Sequence, residues 1–470
     1  MSKDSTAIEK IMRHYQRSFK SAERKRGACP RHVGVEYKFP LIRPEGTPAT
    51  HAQLTELFSA LEAQGWRPLK DGHTSKTIAV QDGMEQNPNV VTTETGFCKL
   101  ELSLAHQENL QQVEKNFLRV LDQLAPALEC AGLRIIGYGI QPLAEPGEHL
   151  LMKKGRNLFW QQVFGSNKLV PEGSGDDVHL FALSASNQAH VDLSPDELIP
   201  ATNVFNALSP AQIALTANSS FWSWRTRLPA KSAGEAFWDV WLGGEPRYGI
   251  PNHRFESLED YVTTVAGLRP VYITRDGNYY GLSGYPTFSE FYKNQEGAIV
   301  YGTDGNRQIV QPQTADIDQH STFLWFAARP SRYCTLENRV NDQQPPEAIF
   351  SVAALTLGII ENLAKGDDLS RAYPWDDFIR ARRSAIHRGA DASIGRQSIR
   401  PLLEKMLDAA RRGLEKRGLG EEVYLEPLVD RAVRHVCPAD ESSELASTNL
   451  PGFLDRHDVL NLLVRSSKRT

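Results

Sequence analysis

Three apolar segments of this 470-residue chain carry an acidic residue at a position that a β-strand would turn toward the protein interior. They read GVEYKF with Glu36, KLELS with Glu101 and TLENRV with Glu337. Side chains two residues apart on a strand point to the same face, so Glu36 and Lys38 are expected to lie together. A buried carboxylate is costly unless a cation or a metal ion pairs with it. Any fold of this chain must therefore bring positive charge to the inner face of a sheet.

A further glutamate, a histidine and two arginines extend this pattern, and together they indicate a site that binds a metal ion and phosphate. Glu94 in TTETG and His190 in QAHVDLS can join the carboxylates as ligands, and oxygen-rich ligand sets favour Mg²⁺ or Mn²⁺ over zinc. Arg332 and Arg339 flank Glu337, and guanidinium donors beside such carboxylates indicate phosphoryl transfer, because the moving charge must be neutralised. Each feature alone has a plainer explanation: a solvated strand face, a hydrogen-bonded structural histidine, or an Arg–Glu pair that joins two strands.

The hydrophobic periodicity predicts an α+β chain without an internal repeat. The predicted helices cover residues 8–27, 51–65, 110–132, 345–366 and 398–418, with two more between 195 and 219. The predicted strands cover residues 32–42, 76–83, 89–95, 98–105, 133–142 and 179–194, with two more between 321 and 344. Residues 229–320 are rich in Pro, Gly, Tyr and Trp, which indicates loops and short hairpins. We expect an N-terminal helix at 1–30, a catalytic domain at 31–395, and a helical region at 396–470 packed on that domain.

Charge, cysteine content and missing motifs narrow the class of protein. With 53 Lys and Arg against 57 Asp and Glu, the net charge is −4, so no excess of positive charge favours nucleic acid. The five cysteines are far apart and form no C-x-x-C pair, as in a reduced cytosolic protein. The sequence shows no signal peptide, no apolar run of about 18 residues, and no P-loop, G-x-G-x-x-G or G-x-S-x-G motif. We therefore expect a cytoplasmic enzyme that acts on soluble small molecules, without nucleic-acid or membrane partners.

At the same residues the sequence resembles the glutamate–cysteine ligases, in particular their plant-type and proteobacterial branch. The resemblance runs in collinear order over about residues 30 to 440 and is carried by a series of short motifs. These are GVE at Gly34–Glu36, ETGFCKLELS at Glu94–Ser103, GYGIQP ending at Gln141 and Pro142, KGR at Lys154–Arg156, QAHVDLS around His190, ALTANSSF with Asn218, the following Arg225, YITRDGNYYGLSGYPTFSEF, and TLENRVND.

The resemblance implies a glutamine-synthetase-like fold, in which a curved antiparallel β-sheet forms a funnel with surrounding helices. It implies that the γ-carboxylate of glutamate attacks the γ-phosphate of ATP, and that an amine then displaces phosphate from the γ-glutamyl phosphate. It also implies roles for individual residues: metal ligation by Glu36, Glu94, Glu101, His190 and Glu337, phosphoryl or nucleotide contacts by Arg332, Arg339 and Lys38, and substrate contacts by Arg156, Arg225, Gln141 and Asn218.

One departure from the family pattern concerns Lys38, which stands where the family has a second strand carboxylate. Either the protein binds fewer metal ions, with the ammonium in place of one of them, or the strand carries altered chemistry. The segment TGFCK also replaces a family glycine pair. Both departures bear on which molecule accepts the γ-glutamyl group.

Three functions remain open from the sequence. The first is formation of γ-glutamylcysteine from glutamate, cysteine and ATP. The second is transfer of the γ-glutamyl group to another amine or amino acid, and the third is nucleotide binding by a catalytically impaired relative. The expected partners are these small molecules, with Mg²⁺ or Mn²⁺ as cofactor, and the expected state is a monomer or homodimer.

Overall fold

The computed structural model describes residues 3–26, 30–84, 86–157, 159, 169–170, 173–223, 229–241 and 245–467. The strands are β1 (Val33–Ile42), β2 (Arg67–Lys70), β3 (Thr77–Gln81), β4 (Val90–Thr93), β5 (Lys99–Gln107), β6 (Arg134–Ile135), β7 (Ser186–Asp192), β8 (Tyr248–Gly249), β9 (Tyr272–Arg275), β10 (Asn278–Gly281), β11 (Ala298–Gly302), β12 (Arg307–Val310), β13 (Trp325–Phe326), β14 (Ala328–Pro330), β15 (Thr335–Asp342), β16 (Ser393–Ile394) and β17 (Gln397–Ser398).

The helices follow the same order along the chain. They are α1 (Lys3–Arg26), α2 (His51–Ala63), α3 (Leu110–Cys130), α4 (Leu198–Ala207), α5 (Ser209–Thr216), α6 (Ala233–Trp241), α7 (Leu258–Ala266), α8 (Phe288–Tyr292), α9 (Thr314–Ser321), α10 (Ser351–Glu361), α11 (Leu363–Ser370), α12 (Trp375–Arg388), α13 (Arg400–Arg417), α14 (Glu426–Arg434), α15 (Pro438–Thr448), α16 (Leu450–His457) and α17 (Asn461–Ser467). Short 3₁₀ helices cover Glu148–Leu150, Asp177–Ala182, Pro195–Glu197, Pro346–Ala348, Gly389–Asp391 and Glu421–Leu425.

Nine of the described strands form one antiparallel sheet. Its order is β14-β15-β7-β1-β5-β4-β3-β2, with β6 paired to β1. The pairing ends at β14 on one side and β2 on the other, so the sheet is open rather than a closed barrel. The antiparallel sheet with its surrounding helices confirms the predicted α+β class. A second, four-stranded sheet has the order β12-β11-β10-β9.

The central strand β1 separates the core from the opposite face by its alternation. Its neighbours in the sheet are β5 and β7. Tyr37 belongs to the core, where its ring centroid lies 5.2 Å from that of Phe117 in α3 and 6.4 Å from that of Phe350. Glu36 and Lys38, the residues on either side of Tyr37, line a cavity on the other face. The period of two that a strand imposes thus sends apolar side chains to the core and charged ones to the cavity.

Helices α3 and α10 cover the core face of the sheet. α3 packs against β1 and β5, α10 packs against β1 and β7, and α13 packs against α10. One hydrophobic cluster runs from Ala7 in α1 to Val459, and it takes in residues of all three predicted ranges. The boundaries at residues 30 and 395 stay a prediction. In the described part of the chain no single helix is long and apolar enough to span a membrane, although 346–361 and 363–370 qualify as a pair with a 93° bend.

Two predicted strands are shorter in the structure than the sequence pattern indicates. Of residues 133–142 only β6 is a strand, because the backbone N–H groups of Gly137 and Gly139 then bond to the carbonyls of His457 and Asn218. Of residues 179–194, the first part completes the 3₁₀ helix Asp177–Ala182 before β7 begins. In both cases the apolar pattern reports burial, and burial does not require strand pairing.

The region 229–320 contains the predicted hairpins and also helices that the loop prediction missed. β9 pairs with β10 and β11 with β12, which confirms the hairpins. The missed helices are α6, α7, α8 and α9. They are short, and α7 and α8 begin at the N-cap residues Ser257 and Thr287, whose side chains accept from backbone N–H groups. Capping and packing stabilise helices that are too short to show a clear period.

We predict that Gly413→Ala destabilises the protein by about 1–3 kcal/mol, the usual range for overpacking a core. A methyl group at Gly413 in α13 would overlap the carbonyl oxygen of Gly358 in α10, so the two helices would have to separate. Urea unfolding at neutral pH measures the change. The matched control is Gly284→Ala, where an added Cβ meets nothing within 4 Å. An equal stability of the two variants would contradict the close packing of α10 on α13.

Candidate active site

Two cavities meet on the face of the main sheet that carries Glu36. The small cavity has a volume of about 350 Å³ and the large cavity about 1020 Å³. Both are lined by Glu36, Thr322, Arg329 and Glu337, which form a shared wall. The register of the sheet places two of these residues side by side, because Arg329 on β14 is directly opposite Glu337 on β15. A charged wall that is accessible from two sides is suited to a reaction between two bound molecules.

The Lys38 ammonium lies among three carboxylates in the small cavity. Its Nζ is 3.3 Å from Oε2 of Glu36, 3.7 Å from Oε1 of Glu94 and 3.7 Å from Oε2 of Glu101. Lys38 on β1 is directly opposite Glu101 on β5, and Glu94 follows the end of β4. Burial by itself lowers the pKa of Lys38, but the three carboxylates outweigh burial and raise this pKa above its ordinary value. Lys38 is therefore a fixed positive charge inside the small cavity.

Each of these three carboxylates has a second partner at its other oxygen. The partners are Nε2 of His190 at 3.3 Å from Oε1 of Glu36, Nη2 of Arg156 at 3.2 Å from Oε2 of Glu94, and Oγ of Ser103, which donates to Oε1 of Glu101 at 2.7 Å. Burial opposes the charge of Glu36, but Lys38 and His190 lower its pKa to about 2. Burial dominates at Glu101 and raises its pKa to about 7 in spite of Lys38. Lys38 and His190 thus keep Glu36 charged, while Glu101 retains its proton more readily.

Glu337 is held by two arginines. Oε2 accepts from Nε of Arg329 at 2.7 Å, Oε1 accepts from Nη2 of Arg329 at 3.1 Å, and Arg339 also donates to Oε1. Burial raises the pKa of a carboxyl group, yet the two guanidinium groups hold the pKa of Glu337 well below its ordinary value. The third nitrogen of Arg329 donates to the backbone carbonyls of Ser321, Thr322 and Leu324. All three nitrogens of the Arg329 guanidinium therefore donate to protein oxygens, and these hydrogen bonds fix the position of the group.

Aromatic rings also line the small cavity. The rings of Trp238 in α6 and Trp325 in β13 are stacked, with centroids 5.2 Å apart and an interplanar angle of 28°. The ring of Phe181 lies 4.1 Å from that of Trp238. Beside them, Nζ of Lys99 donates to the carbonyls of Phe181 and Ser184, and burial lowers the pKa of Lys99 to about 8. The small cavity is thus lined by both charged and aromatic side chains.

The structure brings most of the predicted site residues to one or both cavities. The small cavity is lined by Glu36, Lys38, Glu94, Glu101, Arg156, Glu337 and Arg339, and the large cavity by Glu36, His190, Arg332 and Glu337. Arg225 lies outside the described residues. Gln141 and Asn218 line neither cavity, because both amide groups are buried and donate to backbone carbonyls. In the structure these two side chains therefore join buried backbone segments.

Arg332 lines the large cavity together with Glu337, but Arg329 and Arg339 are the arginines that bind this carboxylate. Arg332 lies in the turn between β14 and β15, with its Nη1 3.9 Å from Oδ2 of Asp318 and its guanidinium 4.8 Å from the centroid of the Tyr333 ring. The residue beside Glu337 is Arg329, which sequence reasoning missed. The signal is the hairpin after AARP: five residues, 331–335, separate Pro330 from its partner Leu336, so Arg329 pairs with the next residue, Glu337. Register, rather than distance along the chain, decides which arginine reaches the carboxylate.

The predicted ligands do not gather around a position for a divalent metal ion. Among the residues that the structure describes, no three His, Cys, Asp or Glu side chains form a group that could hold such an ion. Glu36, Glu94 and Glu101 converge, but the Lys38 ammonium lies where their oxygens meet. Glu337 has both oxygens bound by guanidinium groups. Protein-held Mg²⁺ does not fit this arrangement.

Comparison with known proteins shows the same likeness over almost the whole chain. A family model described as Glutamate-cysteine ligase family 2 (GCS2) matches residues 42–453. The chloroplastic glutamate–cysteine ligase of Medicago truncatula is 24% identical over 422 residues, which cover 88% of this chain and 78% of that protein. The chloroplastic enzyme of Arabidopsis thaliana is 24% identical over 424 residues, covering 88% and 76%.

A solved structure supports the fold. The crystal structure of a glutamate–cysteine ligase from Francisella tularensis in complex with AMP matches with a TM-score of 0.52 and 12% sequence identity, over 94% of this chain and 89% of that chain. At this identity the likeness concerns the fold alone, and it supports the fold that the family resemblance implies.

We predict that acid destabilises the protein in part through Glu36. A carboxyl group whose pKa is lowered in the folded state stabilises the fold above its ordinary pKa of 4.5, and this stability is lost as the pH falls toward about 2. The free energy of unfolding, measured with urea between pH 5 and pH 2.5, should therefore decrease less steeply with falling pH in Glu36→Gln than in the wild type. The exposed Glu404→Gln is the control for loss of one carboxyl group. Parallel curves for Glu36→Gln and wild type would contradict the pairing with Lys38 and His190.

Proposed function

The chain belongs to the glutamate–cysteine ligase family, and from this premise we propose that it joins L-glutamate to L-cysteine with ATP, giving γ-glutamylcysteine, ADP and phosphate. A γ-carboxylate oxygen of glutamate attacks the γ-phosphorus of ATP, and the bond to the bridging oxygen breaks to release ADP. The neutral amine of cysteine then attacks the acyl carbon and loses a proton. The bond between this carbon and the phosphorylated oxygen breaks, so phosphate leaves with one oxygen from the γ-carboxylate of glutamate. The observation that carries the proposal is the wall of Glu36, Arg329 and Glu337 shared by two cavities.

The two cavities differ in volume and in lining, and these differences match those between ATP and glutamate, the two substrates of the first step. The large cavity, at about 1020 Å³, has room for a nucleotide, and Arg332 with Tyr333 at its edge offers a cation and an exposed ring. The small cavity, at about 350 Å³, has cationic groups of Arg156 and Lys38 that suit the carboxylates of an amino acid. We assign ATP to the large cavity and glutamate to the small one, so the γ-phosphate meets the γ-carboxylate at the shared wall.

The arginines at the wall are suited to the charge of the moving phosphoryl group. That charge spreads over three oxygens in the transition state, and preorganised donors stabilise it at little reorganisation cost. Glu337 holds the guanidinium group of Arg329 by two hydrogen bonds and that of Arg339 by one. Arg329 lines both cavities, whereas Arg339 lines the small cavity. Arg329 is thus placed to contact ATP and the phosphoryl group, and Arg339 to contact the phosphoryl group from the glutamate side.

ATP and two amino acids are the small-molecule substrates of this proposal. ATP enters as its Mg²⁺ complex, in which the phosphates of the nucleotide carry the ion. A monomeric or homodimeric state, a cytoplasmic location and the lack of nucleic-acid or membrane partners remain predictions from the sequence.

One observation favours a second acceptor class. The stacked rings of Trp238 and Trp325, with Phe181 against Trp238, give the small cavity an aromatic, apolar surface. An amine or amino acid with a larger apolar side chain would bury that surface, which favours binding. The reaction through γ-glutamyl phosphate is the same for either acceptor.

We predict that Arg339→Lys lowers the rate of glutamate-dependent ADP formation by about 100- to 1000-fold, the loss usual for one transition-state donor. Lysine keeps the positive charge beside Glu337 but has no planar fork for the phosphoryl oxygens. A coupled ADP assay gives the rate, and thermal unfolding confirms that the variant is folded. The control is Arg371→Lys, an exposed residue beyond α11, which should retain the wild-type rate. Equal rates in both variants would remove Arg339 from the proposed machinery.

We predict a γ-glutamyl product when the protein is incubated with ATP, Mg²⁺, glutamate and cysteine. Mass spectrometry identifies the product, and parallel reactions with larger apolar amino acids and amines compare acceptors by kcat/KM. γ-Glutamylcysteine as the best product supports the thiol ligase, and a larger apolar acceptor supports the second class. No γ-glutamyl product from any acceptor, with a folded protein, would contradict both.

A further inference from the structure

We propose that the Lys38 ammonium permanently takes the place of a divalent cation in the small cavity, so that Glu36, Glu94 and Glu101 bind no metal ion while Lys38 is present. The role of Lys38 in the reaction rests on the ligase function proposed above. The absence of a bound metal ion at these three carboxylates does not. The structural content of the proposal is a cation site that is built into the chain.

The geometry of the cluster is that of a cation site filled by nitrogen. One oxygen from each of the three carboxylates lies 3.3 to 3.7 Å from Nζ of Lys38, and an ammonium has three N–H donors. A divalent ion such as Mg²⁺ requires its oxygens at about 2.1 Å, in a position that Nζ already occupies. The two kinds of cation therefore exclude each other in this cluster.

The surrounding contacts hold the three oxygens toward Lys38. The other oxygen of each carboxylate is engaged, by His190 at Glu36, by Arg156 at Glu94 and by Ser103 at Glu101. Rotation of a carboxylate toward a metal ion elsewhere in the cavity would break one of these contacts. The register of β1 and β5 holds Lys38 itself, which is 6% exposed, directly opposite Glu101.

The charge of the cluster explains what the ammonium does for the reaction. Glutamate brings a γ-carboxylate toward a cavity wall that already carries acidic groups, and a cation between them reduces the repulsion. Lys38 lines the small cavity, where we place glutamate, and it supplies that cation without an ion from solution. Lys38 is thus a positioning and charge-neutralising residue for the γ-carboxylate. The Mg²⁺ requirement of the enzyme would then be that of ATP alone.

The test is a count of Mn²⁺ bound per chain without ATP or glutamate, from the electron paramagnetic resonance signal of free Mn²⁺. Lys38→Gln removes the ammonium and should bind one more Mn²⁺ than the wild type, whereas Lys38→Arg keeps a cation and should bind the wild-type number. Adding Glu94→Gln to Lys38→Gln should abolish the gained site. An equal count for wild type and folded Lys38→Gln would overturn the proposal.

A second measurement covers the case in which Lys38→Gln does not fold. In the wild-type background, Glu101→Gln removes one carboxylate of the cluster and should leave the Mn²⁺ count unchanged, because no metal ion is bound there. A decrease in the count would show that these carboxylates hold a metal ion beside Lys38 and would overturn the proposal. Because both counts are made without substrates, a failure of the ligase reaction does not alter them.

Discussion

A carboxylate taken out of water must be matched by positive charge, and in this protein the matching occurs between neighbouring strands. Lys38 on β1 faces Glu101 on β5, and Arg329 on β14 faces Glu337 on β15. A slip of one residue in either pairing would turn these side chains to the core face and bring apolar ones to the cavities. The register of the sheet and the chemistry of the site therefore specify each other, and the helices α3 and α10 keep the core face of the same strands closed.

The shared wall is the place where the two proposed substrates can meet. A phosphoryl group can pass only between molecules that approach the same atoms, and the two cavities meet at Glu36, Arg329 and Glu337. Cations are placed on both sides of that wall: Lys38 and Arg156 in the small cavity, Arg332 at the large one. Most of this charge comes from the chain itself, which distinguishes the site from one that depends on several bound metal ions. The pairing of Lys38, Arg156, Arg329 and Arg339 with carboxylates also explains how so much charge can be buried in one fold.

Much of this architecture was readable from the sequence. The sequence predicts the strands that carry Glu36, Glu101 and Glu337, because their apolar residues alternate with a period of two. It also predicts the long helices, whose apolar residues recur with the helical period of about 3.6. The departure at Lys38 was also visible, but only the structure shows that its ammonium meets three carboxylates. Arg329 was missed because its role depends on hairpin register, and the short helices between 229 and 320 because capping and packing stabilise them. Gln141 and Asn218 looked like substrate ligands by motif, while their hydrogen bonds join buried backbone segments.

The central claim is that glutamate is activated as an acyl phosphate at the wall between the cavities. Transfer of an oxygen atom tests this most directly. Glutamate labelled with oxygen-18 in its γ-carboxylate is incubated with ATP, Mg²⁺ and cysteine, and the released phosphate is analysed by mass spectrometry. The account predicts that one labelled oxygen passes to phosphate for each γ-glutamyl product formed. Product formation with unlabelled phosphate would contradict it, as would release of ADP without any transfer of label.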